Sequence, residues 1–223
     1  MKLSFIIPTL NEEAFIRSCL EPLQHYREKG HEVILADGGS TDSTMEIAKP
    51  LVDRIIPGDR GRARQMNAGA AAAAGDVYLF VHADTQLGAG IGDLLTERIR
   101  TARAWGRFNI RLSGSHPLLR IIEIFMNLRS RITGIATGDQ VIFITRTLFQ
   151  ERGGFPEVPI MEDVEMSARL LRVCRPVCLR EKVVTSSRRW ERNGIIRTVL
   201  KMWYLRMIYF CGADPESLAR KYG

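Results

Sequence analysis

Along the first part of the chain, short apolar runs alternate with longer stretches in which apolar residues recur every three or four positions. Residues 3–8 (LSFIIP) read as a buried strand. Asn11 stands where a helix cap belongs, ahead of Phe15, Leu20 and Leu23 on one helical side. A second strand is expected over 31–37 (HEVILAD). The turn GGSTDST follows, in which Asp42 or Ser43 caps the next helix. Residues 52–57 (VDRIIP) predict a third short strand. Residues 61–75 (GRARQMNAGAAAAAG) are a strong helix former, with Gly75 placed to stop it. Residues 77–81 (VYLFV) predict a fourth strand, and the chain then turns polar at once with His82, Ala83, Asp84 and Thr85.

Beyond residue 85 the pattern loosens. Residues 88–103 look helical, 104–113 alternate like a half-exposed strand, and 116–134 (HPLLRIIEIFMNLRSRITG) predict an amphipathic helix. Residues 140–155 read as strand, helix and glycine stop, and 161–172 (MEDVEMSARLLR) as another helix. Short strands are expected next, then the basic, apolar stretch 194–212 and the terminal DPESLARKYG. No repeat, low-complexity linker or sharp boundary divides the chain. The strand–helix alternation predicts βα units and a parallel sheet.

In open sheets of that kind, ligands bind outside the carboxyl ends of the strands. After strand one come Pro8, Thr9, Asn11, Glu12 and Glu13. After strand two come Asp37, Gly38, Gly39 and Ser40. GDRGRAR (58–64) follows strand three, and His82 and Asp84 follow strand four. Taken singly, Asn11 or Asp84 is also read as a helix cap, Asp37 as a turn residue, and Arg62 and Arg64 as solvated charges. Taken together, one sheet would bring all four sets to one rim.

The length, 223 residues, suits one domain or one domain with a small appendage. With 45% hydrophobic and 26% charged residues, a real core is expected and disorder is not. The formal charge is +7, mostly from arginine, whose planar fork suits phosphate. Nucleic acid, an anionic membrane, a phosphorylated substrate or simply a solvated basic surface would each account for it. Cys19, Cys174, Cys178 and Cys211 lack metal-type pairing and read as reduced thiols of a cytoplasmic protein. The N-terminal run is too short for a signal peptide. No stretch reaches the roughly 18 uninterrupted apolar residues of a membrane span.

The ligand class narrows by what is missing. The first strand–helix turn, PTLNEE, contains no glycine, against a dinucleotide fingerprint, and no G-x-x-x-x-G-K-[ST] loop occurs. A nucleotidyltransferase on a related sheet would want a glycine-rich, basic first loop, and this one is acidic. Carboxylates at strand ends suit a base or ribose, Arg62 and Arg64 suit a diphosphate, and Asp84 suits a hard divalent cation.

The ordered set SFIIPTLNEE, VILADGGSTDST, GRARQMNAGA, LFVHADT and MEDVEMSARLL resembles family 2 glycosyltransferases of the GT-A fold over roughly residues 1–190. The resemblance implies an α/β, single-domain GT-A fold with a mostly parallel central sheet flanked by helices, plus C-terminal amphipathic helices. It divides the chain into a nucleotide-binding half at 1–85, an acceptor half at 86–190 and a helical segment at 191–223. It implies an inverting transferase moving one sugar from a nucleotide-diphosphate sugar, UDP-linked by family expectation, to a hydroxyl or phosphate acceptor. Thr9, Glu12 and Asp37 would hold the nucleoside, with Pro8, Asn11 and Gly38 beside them. Arg62, Arg64 and Asn67 would lie along the donor. Asp84 matches the last carboxylate of the family's Asp-x-Asp motif and would hold manganese or magnesium. Asp163 matches the catalytic base, with Glu162 beside it, and Arg189-Trp190 resembles the end of a Gln-x-x-Arg-Trp signature.

Two departures stand out. His82 replaces the first aspartate of Asp-x-Asp. Imidazole suits manganese better than magnesium, and His82 has metal, nucleotide or neither as its partner. Ser186 replaces the glutamine of a signature typical of processive synthases, which argues for single-sugar transfer.

On the acceptor side, Gly138 and Asp139 of TGDQ precede a strand and are expected to line the pocket with Glu162, Arg189 and Trp190. The segments 115–133 and 194–212 have two readings: helices packed on the core, or helices lying on an anionic membrane with a lipid-linked acceptor. The competing class is a non-catalytic basic module for membrane or nucleic acid. Carboxylates at several strand ends would repel a phosphate backbone, and basic–aromatic interleaving is absent, so no nucleic acid is expected.

Overall fold

The computed structural model describes residues 1–222; Gly223, the last residue of the expected C-terminal segment, lies outside the described residues. The first half runs β1 (Leu3–Thr9), α1 (Ile16–Leu20), α2 (Gln24–Glu28), β2 (Glu32–Asp37), α3 (Thr44–Ala48), β3 (Arg54–Pro57), α4 (Arg62–Ala72) and β4 (Val77–Phe80). It continues through β5 (Thr85–Gln86), α5 (Ile91–Arg98), β6 (Trp105–Leu112), α6 (Pro117–Thr133), β7 (Ile142–Thr145), α7 (Arg146–Glu151) and α8 (Glu162–Leu171). The chain closes with β8 (Val177–Thr185), α9 (Arg188–Asn193), α10 (Ile195–Phe210) and α11 (Pro215–Tyr222).

One eight-stranded sheet has the order β3-β2-β1-β4-β7-β6-β8-β5. The β1–β2, β2–β3 and β1–β4 pairs are parallel, as the βα alternation predicts. β7 then joins β4 antiparallel, and the second half of the sheet grows from it. The two halves of the sequence therefore share a sheet, with the join at β4–β7.

Alternation along the central strands builds two apolar layers. Leu3, Phe5 and Ile7 of β1 and Val77 and Leu79 of β4 face the layer holding α1, α2, α3 and α5. Ile6, Tyr78 and Phe80 face the opposite layer, with α4, α7 and α8. Each such side chain, fully buried, contributes about 1.5–3 kcal/mol. A third, smaller cluster places Leu205 of α10 and Leu218 of α11 against Ile160, Met161 and Val164.

The structure corrects several boundaries. Asn11 caps no helix: its backbone is left-handed (φ 53°), and α1 begins at Ile16 without a side-chain cap. Asn11 instead ties two loops together: its side-chain Oδ1 accepts from Thr41 N–H at 2.8 Å and its backbone N–H donates to Ser40 Oγ at 2.9 Å. Ser43 occupies the cap position of α3 but makes no cap bond with its side chain; Asp42 Oδ1 accepts from Thr44 N–H. Gly75 does not stop α4, which ends at Ala72. Gly75 is required for another reason, since a Cβ there would lie 2.3 Å from Ser4 Oγ. The region expected to hold several short strands after α8 is one nine-residue strand, β8.

That contact belongs to a buried polar knot. Glu32, at the start of β2, accepts hydrogen bonds from Ser4 Oγ, Ala74 N–H and Gly75 N–H. Burial pushes the Glu32 carboxyl up, but these hydrogen bonds and Lys2 outweigh it and hold the group below its usual value. The Glu32 contribution is therefore present at neutral pH and is lost as pH falls through the lowered folded-state pKa. Glu32→Ala leaves buried donors unpaired and is expected to lower unfolding free energy by about 1–3 kcal/mol in urea denaturation at neutral pH. In acid the difference from the parent protein should shrink; a constant difference across the acid range would show that the carboxylate charge is not involved.

Candidate active site

A cleft of about 900 Å³ opens at the carboxyl ends of β1 and β4. One wall carries Pro8, Thr9, Glu12, Arg62, His82 and Asp84. The lining also includes Gly138, Asp139, Glu162, Asp163, Arg189 and Trp190, from the turn after α6, the start of α8 and α9. Twelve of the residues singled out in the sequence thus line one space.

The rest lie outside it. Asn11 is exposed in its loop clasp. Asp37 lines a neighbouring cavity of about 490 Å³ with Arg64 and Asn67. The Asp37 carboxylate accepts from Gly39 N–H and Ser40 N–H, both at 3.0 Å. Gly38 is buried beneath the Gln65 side chain. Arg64 pairs with Glu157 at 3.2 Å, and the Asn67 amide both donates to and accepts from the Phe155 backbone.

Between the two cavities stands Gln65, which lines both. Its Nε2 donates to Thr9 C=O at 2.7 Å and Ala36 C=O at 2.8 Å, joining the ends of β1 and β2. No sequence signal marked it, because a glutamine inside an alanine-rich helix looks like an ordinary helix former. Arg188 was also missed, though it stands next to Arg189 in SSRRW. Arg188 Nη2 lies 2.6 Å from Glu12 Oε1 and 3.4 Å from Asp84 Oδ2, and its guanidinium covers the Phe15 ring at 4.4 Å. It ties α9 to the rim of β1 and β4.

A three-residue helical turn, Gly138–Gln140, shapes the far wall. Gly138 N–H donates to Asp163 Oδ2 at 2.8 Å, and Asp139 Oδ1 lies 3.3 Å from His82 Nδ1. A Cβ on Gly138 would sit 2.2 Å from His82 Nε2, so only glycine allows the turn to close on the imidazole. Val141 (φ 48°) follows this turn and Met161 (φ 69°) precedes Glu162, both left-handed without being glycine. Such conformations cost of order 1–3 kcal/mol each and concentrate at functional sites.

The charges are unevenly compensated. Burial pushes the Asp84 carboxyl up and Asp139 and Glu12 add to this, while His82 and Arg188 pull it down. Asp139 also feels burial upward, but His82 together with Arg62 and Arg189 brings it down to about 2. Burial pushes Glu162 up, Asp163 adds to that, and Arg62, at 3.1 Å, opposes it. Glu12 Oε2 is buried with no hydrogen-bond partner.

Residues 4–97 match the model of Glycosyl transferase family 2. The PGL/p-HBAD biosynthesis glycosyltransferase of Mycobacterium tuberculosis is 40% identical over 91 residues, which cover 38% of this chain and 36% of that relative. The chain thus spans well under half the length of the relatives it matches. The S. aureus TarS structure with UDP-GlcNAc superposes with a TM-score of 0.66 at 22% identity, covering 83% of this chain and 58% of TarS. The mannosyltransferase PcManGT of Pyrobaculum calidifontis, solved with GDP-Man and Mn2+, gives 0.68 at 18% identity over 99% of this chain and 68% of its own. The fold is that of the GT-A glycosyltransferases.

Because Arg188 is one of two groups lowering Asp84, Arg188→Gln is expected to raise the Asp84 carboxyl pKa further. Carbon-detected NMR titration of the side-chain carboxyl measures it. An unmoved titration would show that Arg188 does not engage Asp84 in solution.

Proposed function

We propose that this chain is a family 2 glycosyltransferase that moves one sugar from a nucleotide-diphosphate donor to an acceptor hydroxyl with inversion. The observation that carries this reading is that the strand-end carboxylates and Asp163, from elements far apart in the chain, line one cleft. In-line displacement needs both kinds of group in one space: a site for the leaving diphosphate, and a base that takes the acceptor proton from the other face of the anomeric carbon.

Asp163 is the base. It stands in the first turn of α8, where the helix dipole favours the carboxylate. The Gly138 N–H and the Val164 N–H hold its two oxygens in place, and each oxygen keeps accepting capacity for the acceptor hydroxyl. The acceptor oxygen bonds to the anomeric carbon as the bond from that carbon to the diphosphate breaks. The proton passes to Asp163, and the electron pair leaves with the nucleoside diphosphate.

On the donor side, Thr9 and Glu12 take the nucleoside within the cleft, Asp37 could reach it only from the adjoining cavity across Gln65, and Arg62 reaches the diphosphate from the start of α4. Arg64 and Asn67 are less suited to the diphosphate, because Glu157 and the Phe155 backbone already occupy them. A divalent cation fits Asp84: hard carboxylate oxygens gather there, and Glu12 Oε2 has no hydrogen-bond partner. Among the described residues no three His, Cys, Asp or Glu side chains could hold it by themselves, so the donor's own diphosphate has to complete the set. When bound, the cation supplies charge neutralisation for the leaving group. His82 is held against Asp139, which makes it a positioning residue for the far wall. PcManGT was solved with GDP-Man and Mn2+, and TarS with UDP-GlcNAc, so UDP and GDP sugars with manganese are the first donors to test.

Asp163→Asn keeps an oxygen for the Gly138 N–H but removes the base. Turnover is expected to fall by about 10²–10⁴-fold, with nucleotide binding retained in a thermal-shift assay; near-normal turnover would transfer the role of base to Glu162 or another group. Asp84→Ala is expected to abolish the extra stabilisation that manganese adds to nucleotide binding. Equal nucleotide affinity with and without manganese, in the parent protein, would remove the cation from this account.

A further inference from the structure

The part of the cleft beyond Asp163 is unlike the donor side. Its wall is apolar: Leu118, Ile121 and Phe125 of α6 face Ile196, Leu200 and Trp203 of α10. At its floor lie two arginines, Arg129 on α6 and Arg206 on α10. Nε and Nη2 of Arg129 and Nε of Arg206 are buried with no hydrogen-bond partner. Burial and the neighbouring Arg206 lower the Arg129 guanidinium to about 10, and burial lowers Arg206, while Asp163 and Asp139 pull both the other way without hydrogen-bonding these nitrogens. Buried guanidinium donors left unpaired are costly, and an anion between them would supply the missing hydrogen bonds.

The apolar wall does not end at the cleft. On α6, Leu118, Ile121, Phe125, Leu128 and Ile132 recur every three or four residues and are all exposed. On α10, Ile196, Leu200, Trp203, Met207 and Phe210 do the same, Trp203 at 67% and Phe210 at 68% exposure. The opposite side of α10 is already packed, through Leu205, on Ile160 and Val164. The helix is therefore apolar on two sides, with one side left open, and an exposed patch of this extent marks an interaction surface. Among the described residues, no helix is long and apolar enough to cross a membrane, so contact would be made by lying on the surface.

We propose that the α6–α10 face docks on a membrane and that its occupant is a lipid bearing a phosphate headgroup, the chains against the apolar stripes and the phosphate between Arg129 and Arg206. The apolar stripes require an alkyl or isoprenoid tail, and the buried arginine pair requires an anion at its head. A second copy of the chain would cover the stripes but would leave the buried Arg129 and Arg206 nitrogens without a hydrogen-bond partner. Docking rests on this face alone; the lipid's role as acceptor rests on the transferase reading above, because the arginines and Asp163 line the same cleft.

The test is flotation of the full chain with phosphatidylcholine vesicles, with and without phosphatidic acid. Flotation is expected with phosphatidic acid, and free inorganic phosphate should compete poorly because it lacks the chains. Arg129→Gln with Arg206→Gln is expected to lower partition onto the acidic vesicles by about thirtyfold. Trp203→Ser with Phe210→Ser removes exposed side chains, should leave the urea midpoint in place, and should lower partition onto both vesicle types. Absence of flotation, flotation indifferent to the arginine pair, full competition by inorganic phosphate, or a dimer in solution that buries this face would each overturn the proposal. Nucleotide thermal shifts on the same preparations separate the two readings. A nucleotide response without flotation overturns lipid docking and leaves the transferase; flotation without any nucleotide response upholds docking and overturns the transferase.

Discussion

The turn Gly138–Gln140 is the contact on which the geometry of the cleft depends. Its first residue presses a bare Cα against the His82 imidazole and gives its N–H to Asp163. Its second residue pairs with His82 from the other side. Its third, Gln140, is fully buried and reaches Ser130 of α6 through Nε2 at 2.9 Å. One short turn thereby holds together the end of β4, the start of α8 and the last part of α6. Those elements come from distant parts of the chain, and they carry Asp84, Asp163 and one wall of the far side. The left-handed backbone at Val141 and Met161 shows that the surrounding packing, and not local preference, sets the conformation there.

Around that turn, charge is managed in two ways. Near the strand ends, several buried or half-buried carboxylates have a basic side chain close by: Arg188 between Glu12 and Asp84, Arg62 on Glu162, His82 on Asp139. These pairs keep several acidic groups together at the rim without forcing them to protonate, and they are the groups a ligand with phosphates and hydroxyls would rearrange. Beyond Asp163 the balance is reversed. Arg129 and Arg206 share a floor with buried nitrogens unpaired, beneath a wall of apolar side chains. The site is thus divided into an acidic end and a cationic, greasy end, with Asp163 between them. The charge of +7 is expressed locally at this second end as well as over the surface.

Much of the first half was legible from period and spacing. Strands buried on both faces appear as unbroken apolar runs, and the βα alternation leaves few other arrangements for them. That was enough to place Pro8, Thr9, Glu12, Arg62, His82 and Asp84 at one rim. Asp37 also lies at a strand end, but Arg64 and Asn67 share a separate cavity with it, because Gln65 closes β1 against β2 between them. Asn11 and Gly75 show the limit of local rules. Each has the residue type of a cap, and each is held by a long-range contact instead, with the 40–41 loop and with Ser4 and Glu32.

The sequence by itself determined which residues are apolar in period, where strands end in polar groups, and which short motifs resemble a known family. Those properties are local, since they depend on residues within a few positions of one another. Only the tertiary structure decided what His82 touches, that Arg188 and not only its neighbour reaches the rim, and that Arg129 and Arg206, far apart in the chain, meet at one floor. It also divided the helical stretch 194–212: Leu205 is packed, while Trp203 and Phe210 are left open. Hydrophobic period tells how wide an apolar stripe is. It cannot tell which part of the stripe the rest of the chain will cover, because that depends on contacts with elements far away in sequence.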